Sequence, residues 1–156
     1  MELNGLKINL LGDSITQGVG ASGNETCYVS IIGKLSGAVC RNYGISGTRI
    51  ARRRVPYEKN QYDQDFPSRV DSLDKDADLV IVFGGTNDFH CITPLGSPEE
   101  RNEGTFWGAY NLLLDDLTAR YPNSKIVLCT PLPRFDETWP ERDGRVRVAP
   151  LQSYVD

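Results

Sequence analysis

The sequence contains few of the residues that hold metal ions. It has a single histidine, His90, and its four cysteines include no Cys-x-x-Cys pair. Structural and catalytic zinc sites are built mainly from clusters of these two residue types at short spacings. We therefore expect no metal site, and we expect the cysteines to be free thiols in a reducing compartment.

Excess positive charge and long apolar runs are also lacking. The formal net charge at pH 7 is −4 and the isoelectric point is near 5.0, which argues against nucleic acid or an anionic membrane as a partner. No apolar run approaches the length of a membrane span, and no basic segment followed by a longer apolar one begins the chain. These features predict a cytoplasmic protein, with secretion of a processed form left open.

Phosphate-binding strings are scarce as well. No G-x-x-x-x-G-K-[ST] string occurs, and the G-x-G-x-x-G match, GVGASG at 18–23, begins six residues after the glycine that ends the first apolar run. In dinucleotide-binding domains this string directly follows a strand and opens a helix, with its backbone N–H groups around the phosphates. The sequence context therefore disfavours a nucleotide-binding function.

Short apolar segments alternate with amphipathic ones along the 156 residues. Short segments rich in apolar residues predict four strands, over residues 8–11, 38–42, 79–83 and 126–129, of which the third is a continuous apolar run. Helical spacing of apolar residues predicts helices between the strands. The two clearest contain Tyr28, Ile31, Ile32 and Leu35 in the first and Phe106, Tyr110, Leu113, Leu114 and Leu117 in the second. Strands that alternate with helices are typical of an α/β domain with a parallel sheet, and the length suits one domain over residues 1–156.

Glycine-bearing breaks follow the first three predicted strands. They are Gly12-Asp13-Ser14, Asn42-Tyr43-Gly44 and Gly85-Thr86-Asn87-Asp88. The carboxyl ends of parallel strands meet at one edge of the sheet, where open α/β sheets place their ligand crevice. We therefore expect the three breaks to converge there.

The residue types at these breaks suit ester hydrolysis. That reaction needs a nucleophile and hydrogen-bond donors for the oxyanion that forms on attack. Ser14 can be the nucleophile, and the donors can be the Ser14 N–H, the Gly44 N–H and the side-chain amide of Asn87. Glycine at position 44 has no Cβ, so its N–H can approach a substrate oxygen closely.

These three segments resemble the SGNH, or GDSL-like, hydrolases. The matching strings are GDSIT at 12–16, NYGISG at 42–47 and GGTND at 84–88. The resemblance implies a three-layer α/β/α fold with a flavodoxin-like parallel sheet in the order 2-1-3-4-5. It also implies a serine esterase without metal or cofactor that cleaves small acyl esters, among them acetyl esters of carbohydrates, with Ser14, Gly44 and Asn87 in the roles given above.

One family motif has no counterpart in this sequence. The family places the general base and its carboxylate partner in an Asp-x-x-His block near the C-terminus, and His90 does not match it. We therefore expect an SGNH domain that lacks its last strand and helix, with its fourth strand at an exposed sheet edge that favours self-association. A non-catalytic binding module that uses the same pocket is the alternative function.

Four more residues are expected around the substrate pocket: Asp13, Asp88, His90 and Trp139. Asp13 can tune the serine or cap the next helix. His90 can line the pocket, lie exposed in a loop or, less favourably, act as the base. The expected partner is a small-molecule ester.

Overall fold

The computed structural model describes residues 2–52, 64–134, 141–142, 145–146 and 151–154. Its main sheet consists of β1 (Lys7–Gly12), β2 (Val39–Gly44), β3 (Leu79–Phe83) and β4 (Lys125–Cys129). The strand order is β2-β1-β3-β4, and every neighbouring pair is parallel. The predicted order of the first four strands is thereby confirmed. A separate antiparallel pair joins β5 (Glu141–Arg142) to β6 (Arg145–Val146).

In the described ranges, five α-helices and three 3₁₀ helices connect or follow these strands. The α-helices are α1 (Ser14–Gln17), α2 (Tyr28–Ser36), α3 (Phe66–Arg69), α4 (Thr86–His90) and α5 (Phe106–Arg120). The 3₁₀ helices span Asn24–Thr26, Val70–Ser72 and Leu151–Tyr154. Local signals explain their ends: Gly37 stops α2 at a φ of 73°, and the Thr105 side chain caps α5 by accepting from the Gly108 N–H.

Buried apolar side chains form two clusters, one on each face of the sheet. Alternate residues of a strand point to opposite faces. Ile8 and Leu10 therefore pack with Val29 of α2 in one cluster, whereas Leu11 of the same strand packs with the side chains of α3 and α5 in the other. Helices thus cover both faces, which confirms the three-layer α/β/α architecture.

The buried face of α2 differs from the prediction. Ile31 and Leu35 were expected inside, but they are 42% and 81% exposed, and Val29 is the buried residue of this helix. The reason lies in the position of α2, which packs at the β2 margin of the sheet. Because β2 is an edge strand, the sheet covers only part of the apolar stripe of α2, and Ile31 and Leu35 stay exposed.

Candidate active site

The carboxyl ends of β1, β2 and β3 lie level with one another. Gly12 at the end of β1 pairs with Gly44 of β2 on one side and with Phe83 of β3 on the other. Ser14 follows β1 as the first residue of α1, and Asn87 follows β3 on α4. The sheet therefore brings the segments that carry Ser14 and Asn87 to the same edge, as the sequence predicted.

Asp13 holds the start of α1 and leaves Ser14 at the surface. The Asp13 carboxylate is 1% exposed and accepts a 3.0 Å hydrogen bond from the Ile15 N–H. Burial raises the pKa of Asp13, and the nearby charge of Arg69 opposes that rise. Of the two roles considered for Asp13, the structure thus shows helix capping, with the carboxylate away from solvent.

The Ser14 side chain is half-buried. Among the described residues, neither its hydroxyl nor its backbone N–H is engaged in a hydrogen bond. A serine with both groups available at a strand end can offer a nucleophile and an oxyanion donor at once.

Gly12 and Gly44 are needed for close packing of α1. A Cβ on Gly12 would collide with Thr16 Oγ1, and one on Gly44 would collide with the backbone N of Gln17. The Gly44 N–H donates a 2.8 Å hydrogen bond to Asn42 Oδ1, and Asn42 Nδ2 donates to Thr16 O at 2.7 Å. Asn42, to which the sequence analysis gave no role, therefore fastens β2 to α1 and engages the N–H that was assigned to the oxyanion hole.

The turn after β2 uses all but one of its N–H groups internally. Three of them donate to protein acceptors: Ile45 N to Gly12 O at 3.1 Å, Ser46 N to Gln17 Oε1 at 2.7 Å and Thr48 N to Ile45 O at 3.3 Å. Gly47 lies between them with a φ of 79°, and its N–H has no partner among the described residues. The geometry favours Gly47 over Gly44 as the donor of this turn. The second glycine of NYGISG was the sequence signal for it.

The Asn87 amide lies against the same turn. Asn87 Nδ2 donates a 2.8 Å hydrogen bond to the carbonyl oxygen of Thr48. A side-chain amide carries two N–H bonds, so this contact orients the group and leaves a second N–H for another acceptor. The site thereby combines one hydroxyl with three N–H donors, from Ser14, Gly47 and Asn87.

Asp88 is a structural residue of the interior. Its side chain is 0% exposed, and its two carboxylate oxygens accept from the N–H groups of Ile50 and Ala51 at 2.9 and 3.0 Å. Burial raises the pKa of Asp88 to about 6, and the two backbone donors oppose the rise. The carboxylate anchors the segment after the Gly47 turn and has no surface open to the expected substrate pocket.

His90 is half-buried at the end of α4 and lies beside a cation. Its Nδ1 is 3.4 Å from Arg134 Nη2, and Arg134 Nη1 donates to Thr86 Oγ1 at 2.8 Å. An imidazole that accepted a proton here would face the guanidinium charge, which disfavours His90 as a general base. Trp139, the other expected pocket residue, lies outside the described residues.

Arg69 is a buried cation beneath the site that the sequence analysis did not single out. It is 6% exposed and donates to Thr48 Oγ1 at 2.9 Å, Gly12 O at 3.1 Å and Tyr43 O at 2.6 Å. Burial lowers its pKa to about 10, so the guanidinium remains charged at neutral pH.

An apolar cavity of about 220 Å³ lies beside this edge, at the end of β4. Its lining includes Trp107, Tyr110, Leu128, Pro131 and Tyr154. β3 separates β4 from β1, so the cavity flanks the Ser14 edge. In the part of the chain that the structure describes, no three metal-ligating side chains are grouped and no helix has the length and apolar character to cross a membrane.

The model of the GDSL-like lipase/acylhydrolase family matches residues 10–153. One solved crystal structure shares 34% identity at a TM-score of 0.81, covering 99% of this chain and 72% of that one. A search of curated proteins returns no match.

Two more distant structures show the fold alone. A possible lipase from Chitinophaga pinensis is 23% identical at a TM-score of 0.70, with 96% of this chain and 60% of that chain covered. A family two carbohydrate esterase from Clostridium thermocellum, solved in complex with cellohexaose, is 18% identical at a TM-score of 0.57, with 85% and 45% covered.

Proposed function

This chain belongs to the GDSL-like lipase/acylhydrolase family, and from that premise we propose that it cleaves small acyl esters through an acyl-enzyme on Ser14. The observation that carries the proposal is the set of unengaged polar groups at one sheet edge. Among the described residues, the Ser14 hydroxyl, the Ser14 and Gly47 N–H groups and one N–H of Asn87 make no hydrogen bond. Such a set serves nucleophilic attack on a carbonyl.

The proposed reaction proceeds in two steps. Ser14 Oγ attacks the ester carbonyl carbon, and its proton passes to a base. The carbonyl oxygen becomes an oxyanion that accepts hydrogen bonds from Ser14 N–H, Gly47 N–H and Asn87 Nδ2. Collapse of the tetrahedral intermediate breaks the bond to the alcohol oxygen, which takes the proton from the base, and leaves an acyl group on Ser14. Water then attacks the acyl-enzyme, which releases the carboxylic acid and restores the Ser14 hydroxyl. In this proposal Gly47 replaces Gly44 as the glycine donor.

The 156-residue sequence offers no favourable histidine as the general base. It has one histidine, and that histidine lies beside Arg134. We propose that the chain alone therefore acylates Ser14 slowly and turns over little ester. The same observation favours the second candidate function, a non-catalytic module that binds an acyl group or a carboxylate in the donor pocket.

For the substrate we propose an acetyl ester of a carbohydrate. The support is the structural likeness to a carbohydrate esterase solved with cellohexaose. For its surroundings we propose the cytoplasm, because all four cysteines are free. A second copy of the chain is the proposed macromolecular partner, through the β4 edge.

Incubation with 4-nitrophenyl acetate, followed by mass spectrometry of the peptides, tests the proposal. We expect an acetyl group on the peptide that contains Ser14, and we expect no acetylation of that peptide in Ser14→Ala. Ser22→Ala is the control, because Ser22 is an exposed loop residue whose hydroxyl bonds only Thr26 among the described residues. Binding of acetate without any acetylation would support the binding module. A chain that neither binds acetate nor becomes acetylated would refute both functions.

A further inference from the structure

One buried guanidinium contacts the end of β1, the end of β2 and the turn that follows β2. Arg69 on α3 donates to Gly12 O, Tyr43 O and Thr48 Oγ1 over distances of 2.6 to 3.1 Å. It is 6% exposed, and its Cζ lies 5.0 Å from the centre of the Phe66 ring. The multipoint contact and the burial fix the group in one orientation.

We propose that Arg69 is the positioning residue of the oxyanion hole and holds a positive potential beneath the bound oxyanion. This inference rests on the proposed ester hydrolysis. Arg69 acts through its neighbours and touches no substrate. The positive potential of Arg69 would attract the oxyanion, or the carboxylate product, bound at the same site.

The acceptors of Arg69 lie close in sequence to the proposed donors. Gly12 is two residues before Ser14, and Tyr43 is the penultimate residue of β2, four residues before Gly47. Thr48 follows Gly47 directly, and its carbonyl oxygen accepts from Asn87 Nδ2. Removal of the guanidinium would leave buried acceptors without donors, which is costly in an interior. The donors of Ser14, Gly47 and Asn87 would then lose their common support.

The charge of Arg69 adds to its contacts. Burial disfavours the guanidinium, while the negative charges of Asp13 and Asp65 favour it. Both carboxylates also cap helices, Asp13 through the Ile15 N–H and Asp65 through the Ser68 N–H, so their charge is partly taken up by those donors. Because a fixed cation in a site of low dielectric attracts a developing oxyanion more strongly than it would in water, Arg69 lowers the energy of that anion.

Acetate binding followed by NMR tests this role without requiring turnover. In the unmodified chain, added acetate should shift the Ser14 and Gly47 amide resonances and the Asn87 side-chain amide. Arg69→Met should weaken acetate binding about tenfold or more. Arg69→Lys keeps the charge without the planar fork, and we expect it to recover part of the affinity.

Arg120→Met is the matched control. Arg120 also donates to backbone carbonyls, those of Asp71 and Leu73, but these lie at the opposite end of the sheet from Ser14. Its loss should lower stability and leave acetate binding unchanged. A merely structural role of Arg69 would make the two variants behave alike.

The outcomes separate the two proposals. If the unmodified chain shows no acetate shifts at the three donors, the proposed function fails. If it binds acetate and a folded Arg69→Met variant binds equally well, the role of Arg69 fails and the proposed function stands. Should Arg69→Met not fold, Thr48→Val removes one acceptor of Arg69, and an unchanged acetate affinity in that variant would overturn the inference.

Discussion

The side-chain amide of Asn87 donates a 2.8 Å hydrogen bond to the carbonyl oxygen of Thr48. The bond joins α4, which follows β3, to the turn that follows β2. Thr48 is the neighbour of Gly47, so two proposed oxyanion donors are held in a fixed relation by one contact. The bond to Thr48 fixes the rotation of the amide group, and it therefore also fixes the direction of the second N–H.

Replacement of Asn87 by alanine should slow acylation of Ser14. We expect a loss of about 10²–10³ in the rate, which is usual for one oxyanion donor, measured as acetylation by 4-nitrophenyl acetate. Asn111→Ala is the control, because Asn111 Nδ2 also donates to backbone carbonyls, those of Pro98 and Glu100, on a remote surface. An unchanged acylation rate in Asn87→Ala would show that the amide only fastens the turn.

Gly44→Ala should damage the packing of α1. The added Cβ would meet the backbone of Gln17 and Thr16, which cannot move aside as a side chain can. Overpacking of this kind costs about 1–3 kcal/mol or more, measured by urea unfolding. Gly20→Ala is a useful comparison, since Gly20 has a φ of 90° and no neighbour within 4 Å of a Cβ. Its cost should be only the backbone strain of about 1–2 kcal/mol. Equal stability of Gly44→Ala and the parent would contradict the packing.

The buried Asp88 should make stability depend on pH. Its pKa is about 6 in the folded chain against an ordinary value of 3.8, so the folded state keeps a proton that the unfolded state releases. The stability that Asp88 confers is therefore full below about pH 4 and is lost as the pH rises through about 6. The rise in pKa corresponds to about 3 kcal/mol.

Asp88→Asn tests that dependence. Between pH 4 and pH 7, the free energy of unfolding of the parent should fall relative to that of Asp88→Asn. Asp65→Asn serves for comparison, because Asp65 is also buried and caps α3. A parent–variant difference for Asp88→Asn that does not change with pH would contradict the raised pKa.

Much of the fold was predictable because it depends on local pattern. The apolar run at 79–83 is β3 residue for residue, and the four predicted strands assemble in the expected order. Ser14 and Asn87 were placed correctly at one edge because a parallel sheet puts the carboxyl ends of its strands together.

The remaining features depend on contacts between distant residues. The choice between Gly44 and Gly47 depends on the Asn42 and Gln17 side chains that engage the other N–H groups of the turn. Nothing around Arg69 in the sequence distinguishes it from a surface arginine, since its three acceptors lie 21 to 57 residues away. Asp88 was expected in the pocket because sequence position alone does not show that its carboxylate binds Ile50 and Ala51.

Association through the β4 edge is a further prediction. β4 pairs only with β3 among the described strands, and its Val127 and Leu128 are 44% and 39% exposed. A lysine on such an edge opposes strand pairing, so Val127→Lys should convert dimers or larger species to monomers in light scattering. Leu35→Lys is the control, because Leu35 is also apolar and is 81% exposed on α2. This variant should associate as the parent does. A monomeric parent chain would rule out association by this edge.

Covalent labelling of Ser14 by a fluorophosphonate tests the central claim most directly, because it needs a nucleophile and an oxyanion hole but no deacylation. We predict a slow adduct, found by mass spectrometry on the peptide containing Ser14. Its rate of formation should rise when imidazole is added as an external base, and Ser14→Ala should remove the adduct. An adduct on another residue, or none at Ser14 at any imidazole concentration, would contradict the account.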